Sequence, residues 1–188
     1  MDFGCGAGAF LKSLGKIIPG IHVYGIDYSA PLVALARKHV TKNTSGHFWR
    51  GDVRDVSFIS EEEFDHAISF SVFQYLNSLN DVLRTWSEMA RVTKVGGSVI
   101  IADVSDKSLE SVYLAKLRGN SDYEKKKLKD NKSSDTTPEH LFISKSFFLE
   151  NAASLGVRVD KIMDEKKCQQ TCRSTNLQPI DTRFTLQK

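Results

Sequence analysis

Cysteine is scarce in this chain, with three among 188 residues, and an odd number leaves no disulfide framework. Cys168 and Cys172 stand at C-x3-C spacing with no second pair of ligands to complete a zinc site, so no metal is expected. A reducing compartment fits this usage, and the expected location is the cytoplasm. No apolar run approaches the eighteen or so residues of a membrane span. The opening residues also lack the basic and apolar segments of a secretory signal. Charge of one sign is not in excess: 26 Lys and Arg against 23 Asp and Glu give a formal net charge of +3. That is far from the basic footprint of a dedicated nucleic-acid binder, and no nucleic-acid partner is expected. The lysine-rich run at 124–132, EKKKLKDNK, reads as solvated surface. Internal repeats and low-complexity segments are absent as well.

What is present suits one domain over 1–188, since 40% of the residues are hydrophobic and the length is enough for a single substantial core. Apolar runs at 21–27 (IHVYGID), 46–52 (GHFWRGD) and 65–73 (DHAISFSVF) alternate with helix-period segments such as 30–40 (APLVALARKHV). This alternation predicts an α/β fold: a Rossmann-like, doubly wound, mostly parallel sheet covered on both faces. A further helix carries Leu79, Val82, Leu83, Trp86, Met89 and Ala90 on one stripe, with Gly96-Gly97 as its stop and a strand at 98–104 after it. The pattern breaks into a polar, lysine-rich insert or lid over 105–143. Ser144 then reads as the N-cap of a helix that Gly156 ends, and strands at 157–164 and 182–187 close the chain.

The opening DFGCGAG spaces three glycines at alternate positions, so the backbone can turn sharply and approach a ligand with no side chain between. A helix beginning near Ala9 points its N-terminus at the same place. Gly4, Gly6 and Ala9 also satisfy the relaxed dinucleotide pattern, with Asp27 at about the spacing of a ribose acid. Four features point to a different ligand. Asp2, two residues before the first glycine, places a carboxylate where it faces a cation and repels a diphosphate. GIDYS puts Asp27 at the tip of the second strand, able to accept from both hydroxyls of a ribose. GDVRD puts Asp52 at the end of the third strand, beside the Val53 backbone, where a carboxylate can take an exocyclic amine. SFSVFQYL ends the next strand in small and aromatic residues.

The set resembles the class I S-adenosylmethionine-dependent methyltransferases, especially the small-molecule branch that includes ubiquinone and menaquinone biosynthesis enzymes. VTKVGGSVIIADV resembles that family's K-P-G-G turn and fifth strand, with Val95 in place of proline. The terminal pair of strands is similar to the family's closing pair, whose last strand is antiparallel. The resemblance implies S-adenosyl-L-methionine as cofactor. It assigns Asp2, Gly4, Cys5 and Gly6 to the methionine part, Asp27 and Tyr28 to the ribose side, Asp52 and Val53 to adenine, and the Phe70 and Ser71 carbonyls to the amino group. The implied reaction is in-line methyl transfer to a small-molecule acceptor, driven largely by alignment. The bland alternatives are plain glycine turns and carboxylates that only cap the next helix.

A catalytic base is not evident. Gln74 and Tyr75 occupy the positions that border the methyl group in similar enzymes, and a glutamine takes no proton at neutral pH. Asp135 and His140 are candidates that reach over the pocket, although Thr137 and Pro138 also read as an N-cap and first position of a helix. The other histidines fall at element ends, where exposure is expected. Only Met1, Asp2 and Phe3 stand where a central first strand of about five residues is expected, so that strand is largely missing. The expectation is therefore a fragment or truncated product that folds poorly alone, because such a loss costs on the order of 5–10 kcal/mol. Two other functions remain open: an impaired relic or regulatory module of the same fold, and a nicotinamide-dependent oxidoreductase. Acceptor identity and oligomeric state are not readable from the sequence.

Overall fold

The alternating apolar segments become the strands of one seven-stranded sheet in a computed structural model that describes residues 1–39, 45–118, 140–162 and 184–187. The strands are β1 (Asp2–Phe3), β2 (His22–Asp27), β3 (Ser45–Arg50), β4 (Phe64–Phe70), β5 (Thr93–Ala102), β6 (Arg158–Ile162) and β7 (Phe184–Gln187), in the order β3-β2-β1-β4-β5-β7-β6. The first five in that order are parallel. β7 runs antiparallel to β5, and β6 antiparallel to β7. The chain leaves β1 towards β2 and β3 on one side and returns to β4 and β5 on the other. The switch between β1 and β4 therefore opens a crevice at the carboxyl ends of the strands.

Helices α1 (Ala9–Ile17), α2 (Ala30–His39), α3 (Leu79–Val92), α4 (Glu110–Arg118) and α5 (Lys145–Ala152) accompany the sheet. Alternation along β2 separates two cores. Val23 joins Cys5, Leu11, Val33, Ala36 and Phe48, under α1 and α2. Ile26 joins Phe3, Trp86, Met89 and Phe148 on the other face. Trp86 and Phe148 are fully buried, with ring centroids 5.4 Å apart. The caps read from the sequence at the later helix are found, the Ser144 hydroxyl accepting from Phe147 N at 3.2 Å and Gly156 adopting φ +66; the structure adds one at α3, where the Ser78 hydroxyl accepts from Asp81 N at 3.1 Å.

One boundary differs. Gly96-Gly97 do not stop α3, which ends at Val92, and β5 starts at Thr93 and runs through both glycines. Thr93 closes the helix itself, donating its hydroxyl to Met89 O at 2.7 Å while its backbone pairs with Phe64. Gly97 serves close approach, since a Cβ there would lie 2.5 Å from Asp65 O. β4 is also shorter than expected and passes into a single 3-10 turn at Phe73–Tyr75.

β1 has two residues, yet it pairs on both sides, Asp2 with Gly25 and Ile68, and Phe3 with Ile26. The Met1 ammonium donates to His66 O at 2.6 Å, and Ile68 N donates to Met1 O at 2.8 Å. Beside Met1 a cleft of about 620 Å³ opens between β2 and β4. Several expectations lie outside the described residues: the middle of the 105–143 insert, the lysine run, Asp135, Thr137 and Pro138, the cysteine pair 168 and 172, and the outer ends of the last two strands.

Candidate functional site

Three left-handed glycines form the opening loop, Gly4 at φ +84, Gly6 at φ +50 and Gly8 at φ +74. The amides of Gly4 and Cys5 both donate to Ile26 O, at 2.8 and 3.0 Å, which folds the loop back over the end of β2. Asp27, the last residue of β2, locks it: Oδ2 accepts from Gly6 N and Oδ1 from Ser29 N, each at 2.8 Å. Each carboxylate oxygen keeps a further lone pair. A Cβ at Gly6 would meet nothing within 4 Å, so the loop presents open space on that side.

The loop borders a cleft of about 510 Å³ at the switch point, within the range of small-ligand sites. The structure brings Gly4, Asp27, Tyr28, Asp52, Val53 and Ser71 together in its lining. It leaves Asp2, Cys5, Gly6 and Phe70 outside that lining. The Cys5 side chain turns into the smaller core, against the position a Gly25 Cβ would take, and burial pushes its thiol up to about 12. Its expected contact with a ligand is therefore limited to backbone. Phe70 projects from the end of β4, half exposed.

Asp2 lies beneath the loop, 3% exposed, and its Oδ1 has no hydrogen-bond partner among the described residues. Burial pushes the carboxyl up to about 7, against the pull of the Met1 ammonium and with a push from Asp27. Ser71 adopts φ +58 and Asp103 φ +54 at the ends of β4 and β5, and the Ser71 hydroxyl donates to Asp103 Oδ2.

Asp52 is already engaged. Arg54 donates to it from Nε at 2.9 and 3.0 Å, from Nη2 at 2.6 Å and from its backbone N at 2.9 Å. Arg54 Nη1 reaches Asp81 on α3 at 3.1 Å. The guanidinium holds the Asp52 carboxyl below its usual range. These bonds fill most of the carboxylate's acceptor capacity, so an amine approaching it competes with Arg54. Arg54 and Gly51 both line the cleft and were not among the expected residues, although Arg54 stands within the GDVRD motif.

Tyr75 lines the cleft and is half exposed. Its ring meets His140 edge-on, with centroids 5.2 Å apart, and His140 stacks on Tyr113 of α4 at 5.4 Å. Gln74 is 5% exposed, and its backbone carbonyl accepts from Leu141 N at 2.9 Å. Gln74 Oε1 and His140 Nδ1 are both buried with no hydrogen-bond partner among the described residues.

The fold is that of S-adenosylmethionine-dependent methyltransferases, and comparison with known proteins agrees. A family model described as a methyltransferase domain matches residues 1–101, more than half of the chain, and the chain belongs to that family. Among relatives, malonyl-(acyl-carrier protein) O-methyltransferase of Bacillus cereus is 33% identical over 86 residues, covering 45% of this chain and 30% of its own length. Demethylmenaquinone methyltransferase of Halalkalibacterium halodurans is 28% identical over 113 residues, covering 58% and 44%. A probable tRNA methyltransferase 9B of Homo sapiens is 34% identical over 100 residues, covering 53% and 20%. The chain thus spans less than half the length of each of these curated relatives. A magnesium protoporphyrin IX methyltransferase structure from Synechocystis with bound S-adenosylhomocysteine superposes with a TM-score of 0.68. It is 16% identical and covers 100% of this chain and 73% of its own. No helix among the described residues is long and apolar enough to cross a membrane.

Proposed function

We propose that the chain holds S-adenosyl-L-methionine in the switch-point cleft and transfers its methyl group to a small-molecule acceptor. The observation that carries this reading is Asp27: it ties the glycine loop to β2 through Gly6 N and Ser29 N, and both its oxygens retain acceptor capacity at the cleft. Two ribose hydroxyls match that capacity. The orphaned, buried Asp2 carboxylate beneath the loop suits the cationic methionine end, and the open side of Gly6 leaves room for it. In this reading Val53 and Asp52 serve the adenine end, with Tyr28 along its edge, and Ser71 in the lining, with Phe70 before it at the end of β4, serves the amino group. Bound there, the cofactor supplies an electrophilic methyl group, and the chain's part is to align the acceptor.

The rim, where Tyr28, Phe70 and Tyr75 are exposed, offers aromatic surface to a flat acceptor. Arg54, a cation in the cleft lining, is held by Asp52 and Asp81 and is not free for phosphate. Calorimetric titration of S-adenosylhomocysteine tests the reading, with Asp27→Asn as control. Losing charge-assisted hydrogen bonds worth about 1.5–3 kcal/mol weakens binding roughly 10- to 150-fold. Equal affinity for both proteins, or no binding by a folded wild-type chain, refutes the reading.

A further inference from the structure

Ser71 lines the cleft, and its backbone there is strained. Among the described residues three non-glycine residues have a left-handed backbone, and two of them, Ser71 at φ +58 and Asp103 at φ +54, stand side by side. Phe70 and Ala102 are the last ladder pair of β4 and β5, and Ser71 N donates to Ala102 O at 3.1 Å, so both chains leave the sheet at one level. A left-handed backbone is costly for a residue with a Cβ, and it persists only where the surroundings hold it. Here the holding contact is the Ser71 hydroxyl, which donates to Asp103 Oδ2. A hydrogen bond to a carboxylate is of the stronger kind, and both residues are half-buried. The turn at Ser71 leads directly into one wall of the cleft, since Val72 and Tyr75 line it together with Gly4 of the glycine loop. Val72 presses closely on that loop: a Cβ at Gly4 would lie 2.2 Å from Val72 Cγ2. Any relaxation of φ at Ser71 carries Val72 with it and alters its packing on Gly4.

We propose that Asp103 is a positioning residue for the cofactor: through its bond to the Ser71 hydroxyl it holds Ser71 in the left-handed conformation that sets the wall from Ser71 to Tyr75 against the glycine loop. The inference rests on the cofactor reading above. Asp103 is not in the cleft lining, so it acts on the ligand through Ser71 and not by contact. Without the bond, Ser71 is free to leave its strained conformation, and the cleft that fits the cofactor becomes a fraction of the population. Apparent affinity falls by that fraction. The cost of one left-handed residue corresponds to roughly 5- to 30-fold. The bond needs only an acceptor oxygen at position 103, which an asparagine also offers. A glycine at position 71 takes positive φ with no support at all, and so makes the bond dispensable.

The test is calorimetric titration of S-adenosylhomocysteine into the whole chain, well below the melting temperature of each variant. Asp103→Ala is expected to weaken binding roughly 5- to 30-fold, and Asp103→Asn by less than about threefold. Ser71→Ala should match Asp103→Ala, and Ser71→Gly should bind more tightly than Ser71→Ala. In a Ser71→Gly background, Asp103→Ala is expected to cost less than about threefold, because the bond it removes has no strain left to hold. Wild-type affinity in Asp103→Ala overturns the proposal even if its melting temperature falls, since the contact then serves stability alone. An Asp103→Asn loss as large as that of Asp103→Ala overturns it in favour of the charge, and so does a full Asp103→Ala loss in the Ser71→Gly background. Should Asp103→Ala not fold, equal affinities for Ser71→Ala and Ser71→Gly refute it by themselves. No binding by folded wild-type chain removes the cofactor reading and this inference with it, whereas binding that Asp103→Ala leaves unchanged removes this inference only.

Discussion

Replacing Asp2 with asparagine is expected to stabilise the protein at neutral pH while weakening its hold on the cofactor. The carboxyl is pushed up from 3.8 to about 7 in the fold, chiefly by burial. Between those values the folded chain keeps a proton that the unfolded chain releases, so stability falls as pH rises through the window. It is full below about pH 4 and reaches its lowest contribution above about pH 7. At 1.36 kcal/mol per pH unit, three units amount to about 4 kcal/mol as an upper bound. The Met1 ammonium works in the opposite sense: burial lowers it from 8.0 to about 6, so its burden is relieved as pH rises from about 6 to 8. The two slopes oppose each other between pH 6 and 7.

Asp2→Asn removes the first slope and enlarges the second, because the Asp2 charge is one of the groups that hold the Met1 ammonium up against burial. Thermal melts from pH 3.5 to 8 are expected to show wild type and variant alike near pH 3.5. At pH 7.5 the variant gains, by roughly 2–4 °C for each kcal/mol recovered. Titration of S-adenosylhomocysteine at the same pH values shows the other side. A cation placed near Asp2 lowers its pKa, so wild-type affinity rises from pH 6 to 8, and the variant's affinity is flatter and weaker. Identical melting profiles for the two proteins, or a variant less stable than wild type at pH 7.5, refute the reasoning.

Two further substitutions test the frame of the cleft. Gly4→Ala combines a left-handed φ of +84 with a Cβ placed 2.2 Å from Val72 Cγ2. The conformational cost of about 1–2 kcal/mol adds to an overpacking cost of about 1–3 kcal/mol; urea denaturation of Gly4→Ala, Val72→Ala and the double variant should recover only the second part. Arg54→Ala releases Asp52, whose carboxyl then titrates back towards the ordinary range by carbon NMR. The stability loss exceeds the roughly 1 kcal/mol of an exposed pair, because the buried Asp81 carboxylate loses its cation along with Asp52.

The sheet and its loop were legible because their signals are local. Alternation in β2 and β4, the Ser144 cap, and glycines at positions that need positive φ all act over a few residues. The end of α3 was misread because Gly96-Gly97 is a stop signal in isolation; the ladder between Thr93 and Phe64 overrides it, and that pairing spans a helix and a loop. Cys5 was placed with its neighbours Gly4 and Gly6, but a loop has no period from which to read which way a side chain faces. Arg54 was missed for a related reason. Its second partner, Asp81, comes from α3, and no spacing within GDVRD announces it.

The buried polar atoms left without partners are not scattered evenly through the fold. Five such atoms occur among the described residues. Thr85 Oγ1 and Trp86 Nε1 lie adjacent in α3, in its buried stripe. Asp2 Oδ1 instead lies beneath the glycine loop, and Gln74 and His140 are neighbours of Tyr75, which lines the cleft; all three atoms are acceptors or can be. Each costs about 1–3 kcal/mol while it is empty. A core built for stability alone would replace them with apolar groups of the same shape. Asp2, beneath the glycine loop with its carboxyl pushed up to about 7, is a deficit placed where a cation would arrive with ligand.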